Sequence, residues 1–319
     1  MPTRSATVIL GVVGVLHLGA AVLFSIGHLW GGAGLGMVAF AYSRGLLHAL
    51  DADHLAMIDG TTRKLLGENR PAAGLGLAFS LGHSTVVLAA GIAVVAGATW
   101  VRDAIDDNTR LAMILGSIGA SVSALYLLSV AAANLPSLVG AVRGEAPPGH
   151  AHAPSGWWSR ALAAPLSRVR HAGHVYLFGM LFGLGFDTAS TIALLMLTAA
   201  GAVAGVPPLA LLGFPLAFAA AMTLGDSINA QIMLRVYTAA DTPSRRRLNI
   251  ALLAVSILSA VAVASVTLTA LVGEWTGVAA PDIDTTTWGW ALAALALAGA
   301  GWLAWLRFSS RAAPADTHG

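Results

Sequence analysis

The sequence predicts an all-α polytopic membrane protein with eight transmembrane helices in two four-helix halves and both termini in the cytoplasm. Two observations predict this fold class. Of the 319 residues, 57% are hydrophobic and only 10% are charged, whereas a soluble domain carries about 25% charged residues. The apolar residues also form long segments that are near or above the roughly 20 residues that a helix needs to cross a bilayer.

Eight such segments can be marked along the chain. They cover residues 5–30, 34–58, 73–98, 110–134, 174–202, 207–235, 247–273 and 286–307. The first follows Arg4, as in a signal peptide, but its apolar run exceeds the 7–15 residues of a signal core, so we expect it to remain a span. Residues 135–173 are rich in proline and glycine, which predicts a linker between two membrane halves. The expected units are 1–134, the cytoplasmic linker 135–173, 174–307 and a cytoplasmic tail, 308–319.

The charges on the connections predict the orientation. Basic groups such as Arg63, Lys64 and Arg70 fall on alternate connections, and the intervening connections are acidic, as at Asp103 and Asp106. Because basic loops stay on the cytoplasmic side, both termini are predicted to lie there. The basic residues thus point to a bilayer and not to a nucleic acid, although the net charge is +2. The absence of cysteine excludes disulfides, thiolate ligands and cysteine nucleophiles.

The second span contains His48-Ala-Leu-Asp51-Ala-Asp53-His54, which places two imidazoles and two carboxylates within a short stretch. Charged groups at bilayer depth are costly and usually mark an ion pathway or a functional site. Imidazole and carboxylate donors suit divalent first-row metals. On an ideal helix, His48, Asp51 and His54 fall within an arc of about 120°, while Asp53 points away. Asp53 therefore either orients a histidine or lies in an irregular helix.

Three further spans carry polar groups at a similar depth. These groups are His83-Ser84-Thr85, Asp187-Thr188 and Asp226-Ser227 followed by Asn229. Counted at the rise of an α-helix, His48, His83, Asp187 and Asp226 all lie about 14–20 Å from the cytoplasmic edge. Gly82 and Gly185, just before two of these groups, permit close helix approach or local breaks. The shared depth predicts one layer of donors near the middle of the membrane.

We therefore predict an intramembrane metal site with two sets of residues. The predicted metal-binding residues are His48, Asp51, Asp53, His54, His83, Asp187 and Asp226. The predicted supporting residues, which complete or orient the ligand shell, are Ser84, Thr85, Thr188, Ser227 and Asn229. Because histidine binds metal only when deprotonated, affinity is expected to fall below about pH 6.

These motifs resemble those of the nickel/cobalt transporter family. HALDADHLAMID at 48–59 is similar to the family's second-helix signature, and LGHSTVV at 81–87, LGFDTAS at 184–190 and MTLGDSIN at 222–229 resemble three later motifs. The resemblance implies a permease for Ni²⁺ or Co²⁺ in a bacterial cytoplasmic (inner) membrane, normally working as an importer. Two positions depart from the pattern: Thr191 stands where many members have Glu, and Asn229 where a second Asp is frequent. The lower negative charge leaves the preference between Ni²⁺, Co²⁺ and other dications open.

Two other functions remain open at this point. One is export of the same metals, for which His150 and His152 in the linker argue. The other is an intramembrane metalloenzyme that uses the same ligands to activate water, but no HExxH-type motif supports it. We expect no enzymatic activity and no cofactor, because the metal ion is the substrate. The expected partners are the dication, the lipid bilayer and an unidentified cytoplasmic metal acceptor.

Overall fold

The computed structural model describes residues 4–97, 110–144, 168–185, 189–240 and 246–278, together with residue 294. Helices are the only regular secondary structure within these ranges. In chain order they are α1 (Arg4–Ile26), α2 (Gly32–His48), α3 (Ala52–Gly67), α4 (Leu75–Val95), α5 (Arg110–Arg143), α6 (Ala172–Gly183), α7 (Ala189–Val203), α8 (Pro208–Leu211), α9 (Gly213–Ala240) and α10 (Arg246–Thr276).

Five of the helical segments are long and apolar enough to cross a membrane. They are Arg4–Ile26, Leu75–Val95, Met113–Arg143, Pro208–Thr238 and Ile250–Thr276. This confirms the all-helical fold class with several membrane-spanning helices. The predicted eighth span, 286–307, lies outside the described residues apart from residue 294, as do the acidic connection at 103–107 and most of the linker. The number of eight spans and the orientation of the termini stay predictions.

The second predicted span is divided into two helices, which corresponds to the irregular helix that the sequence analysis left open as one of two alternatives. α2 ends at His48 and α3 begins at Ala52. Between them Asp51 has an extended backbone with φ −60° and ψ 139°. The tight turn is stabilised by the backbone N–H of Asp51, which donates to the carbonyl of His48 at 3.0 Å. Asp51 thus stands directly before a new helix at a point where the hydropathy alone predicts continuity.

The fifth predicted span is also divided, and the sixth begins with a short helical segment. α6 ends at Gly183 and α7 begins at Ala189, with residues 186–188 outside the described part. The sixth span opens with the short helix α8, and α9 follows after Leu212. Helices that break at membrane depth are tolerated where the freed backbone lies inside protein or lines a cavity, and transporters use such breaks to build their binding sites.

Glycines allow the helices around the break to pack with their backbones in contact. A Cβ atom on Gly82 of α4 would collide with the carbonyl oxygen of Tyr176 in α6, and one on Gly179 of α6 would collide with that of Phe79 in α4. α4 also lies close to α9, because a Cβ on Gly76 of α4 would collide with the carbonyl oxygen of Asp226 in α9. These close approaches follow the small-residue packing of membrane helices and confirm the expectation for Gly82.

The break lies between two groups of buried apolar side chains. The larger group contains Phe79 and Tyr126 and includes Ala52, the first residue of α3. The second contains Phe214 and Phe218 and includes Ala49, the residue after α2. The chain therefore passes from one packed region to the other at the residues that connect His48 to His54.

Candidate metal centre

Three histidines converge at the break, from the end of α2, the start of α3 and the middle of α4. His48, His54 and His83 are buried, with 1%, 1% and 3% of their surfaces exposed. Each offers one ring nitrogen that lies within 4.8 Å of the other two. The shortest separation joins the Nε2 atoms of His48 and His83, which are 3.0 Å apart. We refer to these residues as the histidine cluster.

The break brings His48 and His54 together. On a continuous helix, residues six positions apart are separated by about 9 Å along the axis. In the structure the centroids of the two rings are 4.6 Å apart, and the ring planes meet edge to face. The turn at residues 49–51 therefore places two side chains of the same motif against each other.

Asp51 fixes the orientation of His48. Its Oδ2 atom lies 2.6 Å from Nδ1 of His48, so the carboxylate accepts a hydrogen bond from the protonated Nδ1. Asp51 precedes the first turn of α3 but makes no side-chain cap hydrogen bond there, because its carboxylate is directed to the ring. A proton held on Nδ1 leaves the lone pair of Nε2 facing His83. A carboxylate behind a metal-binding histidine has this effect on the tautomer and on the basicity of the ring.

Asp53 has a different role in the structure. Its Oδ1 atom accepts a hydrogen bond of 2.9 Å from the backbone N–H of His54. This satisfies one of the N–H groups that the first turn of a helix leaves without a helical partner. Its negative charge is also favourable at a helix N-terminus. Asp53 thus supports the start of α3.

Asp226 of α9 contacts the cluster from the other half of the chain. It is fully buried, and its Oδ2 atom lies 3.5 Å from Nδ1 of His54. One helical turn earlier, the hydroxyl of Thr223 accepts a hydrogen bond of 3.1 Å from the Ser80 hydroxyl, which ties α9 to α4. The sequence reasoning missed Ser80 and Thr223. Ser80 lies three residues before His83 and Thr223 lies three residues before Asp226, on the same faces of their helices. This spacing could have identified both residues.

Two aromatic rings that the sequence reasoning did not select pack against the histidines. Phe79 lies edge to face with His54, with 4.8 Å between the ring centroids. Phe218 of α9 lies 5.4 Å from the His48 ring. Both phenylalanines are fully buried, so they keep water from these faces of the imidazoles.

The predicted supporting residues divide into three groups. Ser84 and Ser227 are buried, and in the described part of the chain their hydroxyls have no hydrogen-bond partner. The amide nitrogen of Asn229 is also shielded from solvent and has no partner there. Thr85 is exposed instead, and its hydroxyl bonds the carbonyl of Leu81 and the hydroxyl of Tyr176, so the structure does not bring it to the histidines. Asp187 and Thr188 lie outside the described residues.

The geometry suits a transition-metal dication. Metal–imidazole bonds of about 2.0–2.1 Å place neighbouring ligand nitrogens about 3 Å apart. The 3.0 Å separation of the two Nε2 atoms matches this spacing. Imidazole donors favour metals such as nickel, copper and zinc over magnesium or calcium. Buried polar atoms without partners are rare in proteins, and within the described residues Nδ1 of His83 and both carboxylate oxygens of Asp226 are such atoms, which fits a site that holds an ion.

Fold and site together define a class: a multi-pass helical membrane protein whose broken helices surround buried histidines. The family model described as "High-affinity nickel-transport protein" matches residues 34–310. The chain belongs to this family. This confirms the resemblance seen in the four motifs, and because the family consists of transport proteins the chain is not an enzyme.

Named relatives cover most of the chain. The "Nickel transporter NicT" of Mycobacterium tuberculosis is 37% identical over 264 residues, which are 79% of this chain and 71% of that protein. The "High-affinity nickel-transport protein NixA" of Helicobacter pylori is 33% identical over 282 residues, or 83% and 82% of the two chains. The "Cobalt transport protein NhlF" of Rhodococcus rhodochrous is 35% identical over 265 residues, or 77% and 74%. No solved structure matches the chain.

Proposed function

We propose that this protein is a secondary transporter that moves Ni²⁺, Co²⁺ or both into the cell through the histidine cluster. The observation that carries the proposal is the convergence of three buried imidazoles beside two carboxylates, in a chain of the nickel-transport family. The metal ion is the substrate, and the residues that hold it release it again. Export of the same metals is the alternative.

Binding requires that the site replace the water around the dication. His48, His54 and His83 supply neutral nitrogen donors. Asp51 and Asp226 contact two of these histidines and offset the positive charge of the metal in a region where water is excluded. Ser84 and Ser227 add hydroxyl oxygens to the shell or orient the ligands, and Asn229 adds an amide. We assign Asp53, Asp187 and Thr188 to the same layer on the sequence pattern, and we leave out Thr85, whose hydroxyl bonds Leu81 and Tyr176.

Release requires that the site open to the other side of the membrane. The histidines come from the first predicted half, 1–134, and Asp226 comes from the second half, 174–307. Movement of one half against the other changes the distance between His54 and Asp226, and it thereby changes the charge that faces the metal. Rocking of two halves around a central site with broken helices is a common mechanism of secondary transporters.

The proposal places the protein in the cytoplasmic membrane with eight spans and both termini inside. The positive charges on alternate connections support this orientation. A dication that moves inward through a potential of 100 mV gains about 4.6 kcal/mol, so the membrane potential alone favours uptake. A cytoplasmic acceptor that takes up the released metal belongs to the same proposal.

Uptake of radioactive Ni²⁺ and Co²⁺ tests the function. Cells that express the chain are expected to accumulate one or both metals in a saturable manner, above cells that carry the empty vector. Accumulation below the empty-vector level would establish export. Purified protein in vesicles with an imposed inside-negative potential repeats the measurement without cellular components. Absence of metal movement in both systems would reject the transport of Ni²⁺ and Co²⁺.

Replacing Asp51 with asparagine is expected to weaken Ni²⁺ binding 10- to 100-fold, because partners behind metal-binding histidines typically contribute this much to affinity. The matched control is Asp53→Asn, two residues further along. That substitution keeps the Oδ1 acceptor for the His54 N–H but removes the negative charge from the first turn of α3, so it should lower stability by about 0.3–1 kcal/mol with a smaller effect on affinity. Equilibrium dialysis and thermal unfolding separate the two effects. Equal losses of affinity in both variants would contradict the assignment of Asp51 to His48.

A further inference from the structure

A second charged group lies further along α3, where the side chains of Asp59 and Arg63 are partly buried. The guanidinium of Arg63 stacks over the ring of Tyr237 in α9, with 4.0 Å from its central carbon to the ring centroid. Two of its nitrogens, Nε and one terminal nitrogen, are shielded from solvent. Asp59, one helical turn earlier, is its electrostatic partner and lies near Ser256 of α10. The sequence analysis placed Arg63 on a cytoplasmic connection; the structure places it in the second half of α3, and its side of the membrane stays a prediction.

Packing alone does not account for these charges. Buried ion pairs gain little over apolar side chains of similar volume, because removing both charges from water is costly. Ionisable groups in the interior of membrane proteins usually serve transport or switching. Arg63 also contacts α9, which carries Asp226. The contact between Arg63 and Tyr237 therefore connects α3, which carries His54, to a helix of the other predicted half.

The position of the group relative to the histidine cluster follows from two contacts. His54 meets Asp226, and further along both helices Arg63 meets Tyr237, so α3 and α9 run side by side in the same direction. The rise from His54 to Arg63 is about 13 Å. The charged group thus lies between the cluster and the end of α3 at Gly67.

We propose that Asp59, Arg63 and Tyr237 form a gate that closes the route of the dication between the histidine cluster and this end of α3. The inference rests on the proposed transport function. In the closed state the guanidinium, held over Tyr237 and beside Asp59, fills the space and repels a positive ion. When α9 moves against α3, the contact with Tyr237 breaks and Arg63 withdraws. Asp59 then becomes an anionic ligand for the ion that leaves the histidines.

Thiol labelling tests the gate, because the chain contains no cysteine and any introduced thiol is unique. Thr62→Cys places the reporter on α3 between His54 and Arg63, at a fully buried position whose hydroxyl has no hydrogen-bond partner in the described part of the chain. The protein is reconstituted in lipid nanodiscs without metal and treated with a water-soluble maleimide. Labelling is expected to be slow in this background and at least tenfold faster when Arg63→Gln is added.

Three further variants make the outcome specific. Arg63→Lys keeps the positive charge and should label nearly as slowly as the parent. Lys64→Gln is the matched control, since the Lys64 amine bonds Glu68 and the carbonyl of Val169 and takes no part in the gate. Asp59→Asn removes the carboxylate beside Arg63 and should accelerate labelling. Unchanged labelling in both Arg63→Gln and Asp59→Asn would overturn the proposal.

A second reporter distinguishes opening of the gate from general unfolding. Ser129→Cys lies fully buried in α5 and should stay unreactive when Arg63→Gln is added. Reactivity at both positions would mean a purely structural role and would reject the gate. Ni²⁺ binding by the Arg63→Gln variant should remain within threefold of the parent, while uptake falls at least tenfold. If the parent binds neither Ni²⁺ nor Co²⁺, the proposed function fails, but the metal-free labelling still decides the gate.

Discussion

Replacing His54 with alanine is expected to abolish uptake and to weaken Ni²⁺ binding by at least about 100-fold. Loss of an outer partner of a metal-binding histidine already costs up to about 100-fold, so loss of a direct nitrogen donor should cost no less. The variant also leaves the fully buried carboxylate of Asp226 without the imidazole at 3.5 Å. Equilibrium dialysis with purified protein and uptake by cells of equal protein abundance measure the two effects.

The matched control for this prediction is His17→Ala. His17 is also a partly buried histidine within an apolar helix, but its two ring nitrogens contact the carbonyl of Val13 and the hydroxyl of Tyr42. It should retain Ni²⁺ affinity within about twofold, because it contributes nothing to the cluster. An equal loss in both variants would show that the histidines act through packing. Normal Ni²⁺ binding by the His54→Ala variant would show that the histidine cluster is not the metal site.

The sequence predicted the depth of the donors better than their partners. Counting residues from the span ends placed His48 and His83 in one layer, and the structure brings their Nε2 atoms to 3.0 Å. The count works because the rise per residue is nearly constant in every helix. Which carboxylate faces which ring depends on the rotation of each helix and on the packing between helices, and a single sequence carries little information on either.

The break between α2 and α3 shows where hydropathy fails. Ala49 and Leu50 continue the apolar character of the span, so hydropathy alone favours one helix there, although the acidic residues that follow left an irregular helix open. The helical wheel set Asp53 apart from His48 and His54 on an ideal helix. In the structure Asp53 accepts a hydrogen bond from the backbone N–H of His54 at the start of a new helix. Asp51 and Asp53 were the available signal, since aspartate is favourable just before a helix and in its first turn.

The charge pattern did not predict the surroundings of Arg63 for a related reason. The rule that assigns basic residues to cytoplasmic connections counts charges near span ends, and α3 continues to Gly67 beyond the predicted end of the span at residue 58. A count of basic residues cannot distinguish an arginine that packs between two helices from an arginine in a connection. Only the contact with Tyr237, a residue far along the chain, distinguishes them.

Introducing a methyl group at Gly82 is expected to produce the second largest effect. In Gly82→Ala the new Cβ would collide with the carbonyl oxygen of Tyr176, and backbone atoms cannot yield as a flexible side chain does. Overpacking of this kind costs about 3 kcal/mol or more when helices must separate. Gly179→Ala should behave alike, because it strikes the carbonyl of Phe79 from the opposite helix. Thermal unfolding in detergent and the yield of monodisperse protein measure the loss.

Gly116→Ala provides the control within a membrane helix of the same protein. A Cβ at Gly116 meets no heavy atom within 4 Å, so the substitution should be neutral or should stabilise α5 by up to about 1 kcal/mol. Because His83 follows Gly82 directly, any Gly82→Ala molecules that fold should also bind Ni²⁺ more weakly, as α4 is pushed away from α6 and His83 moves relative to His48. Normal stability with normal affinity in Gly82→Ala would mean that α4 and α6 are not in backbone contact. It would also contradict the placement of His83 in the histidine cluster.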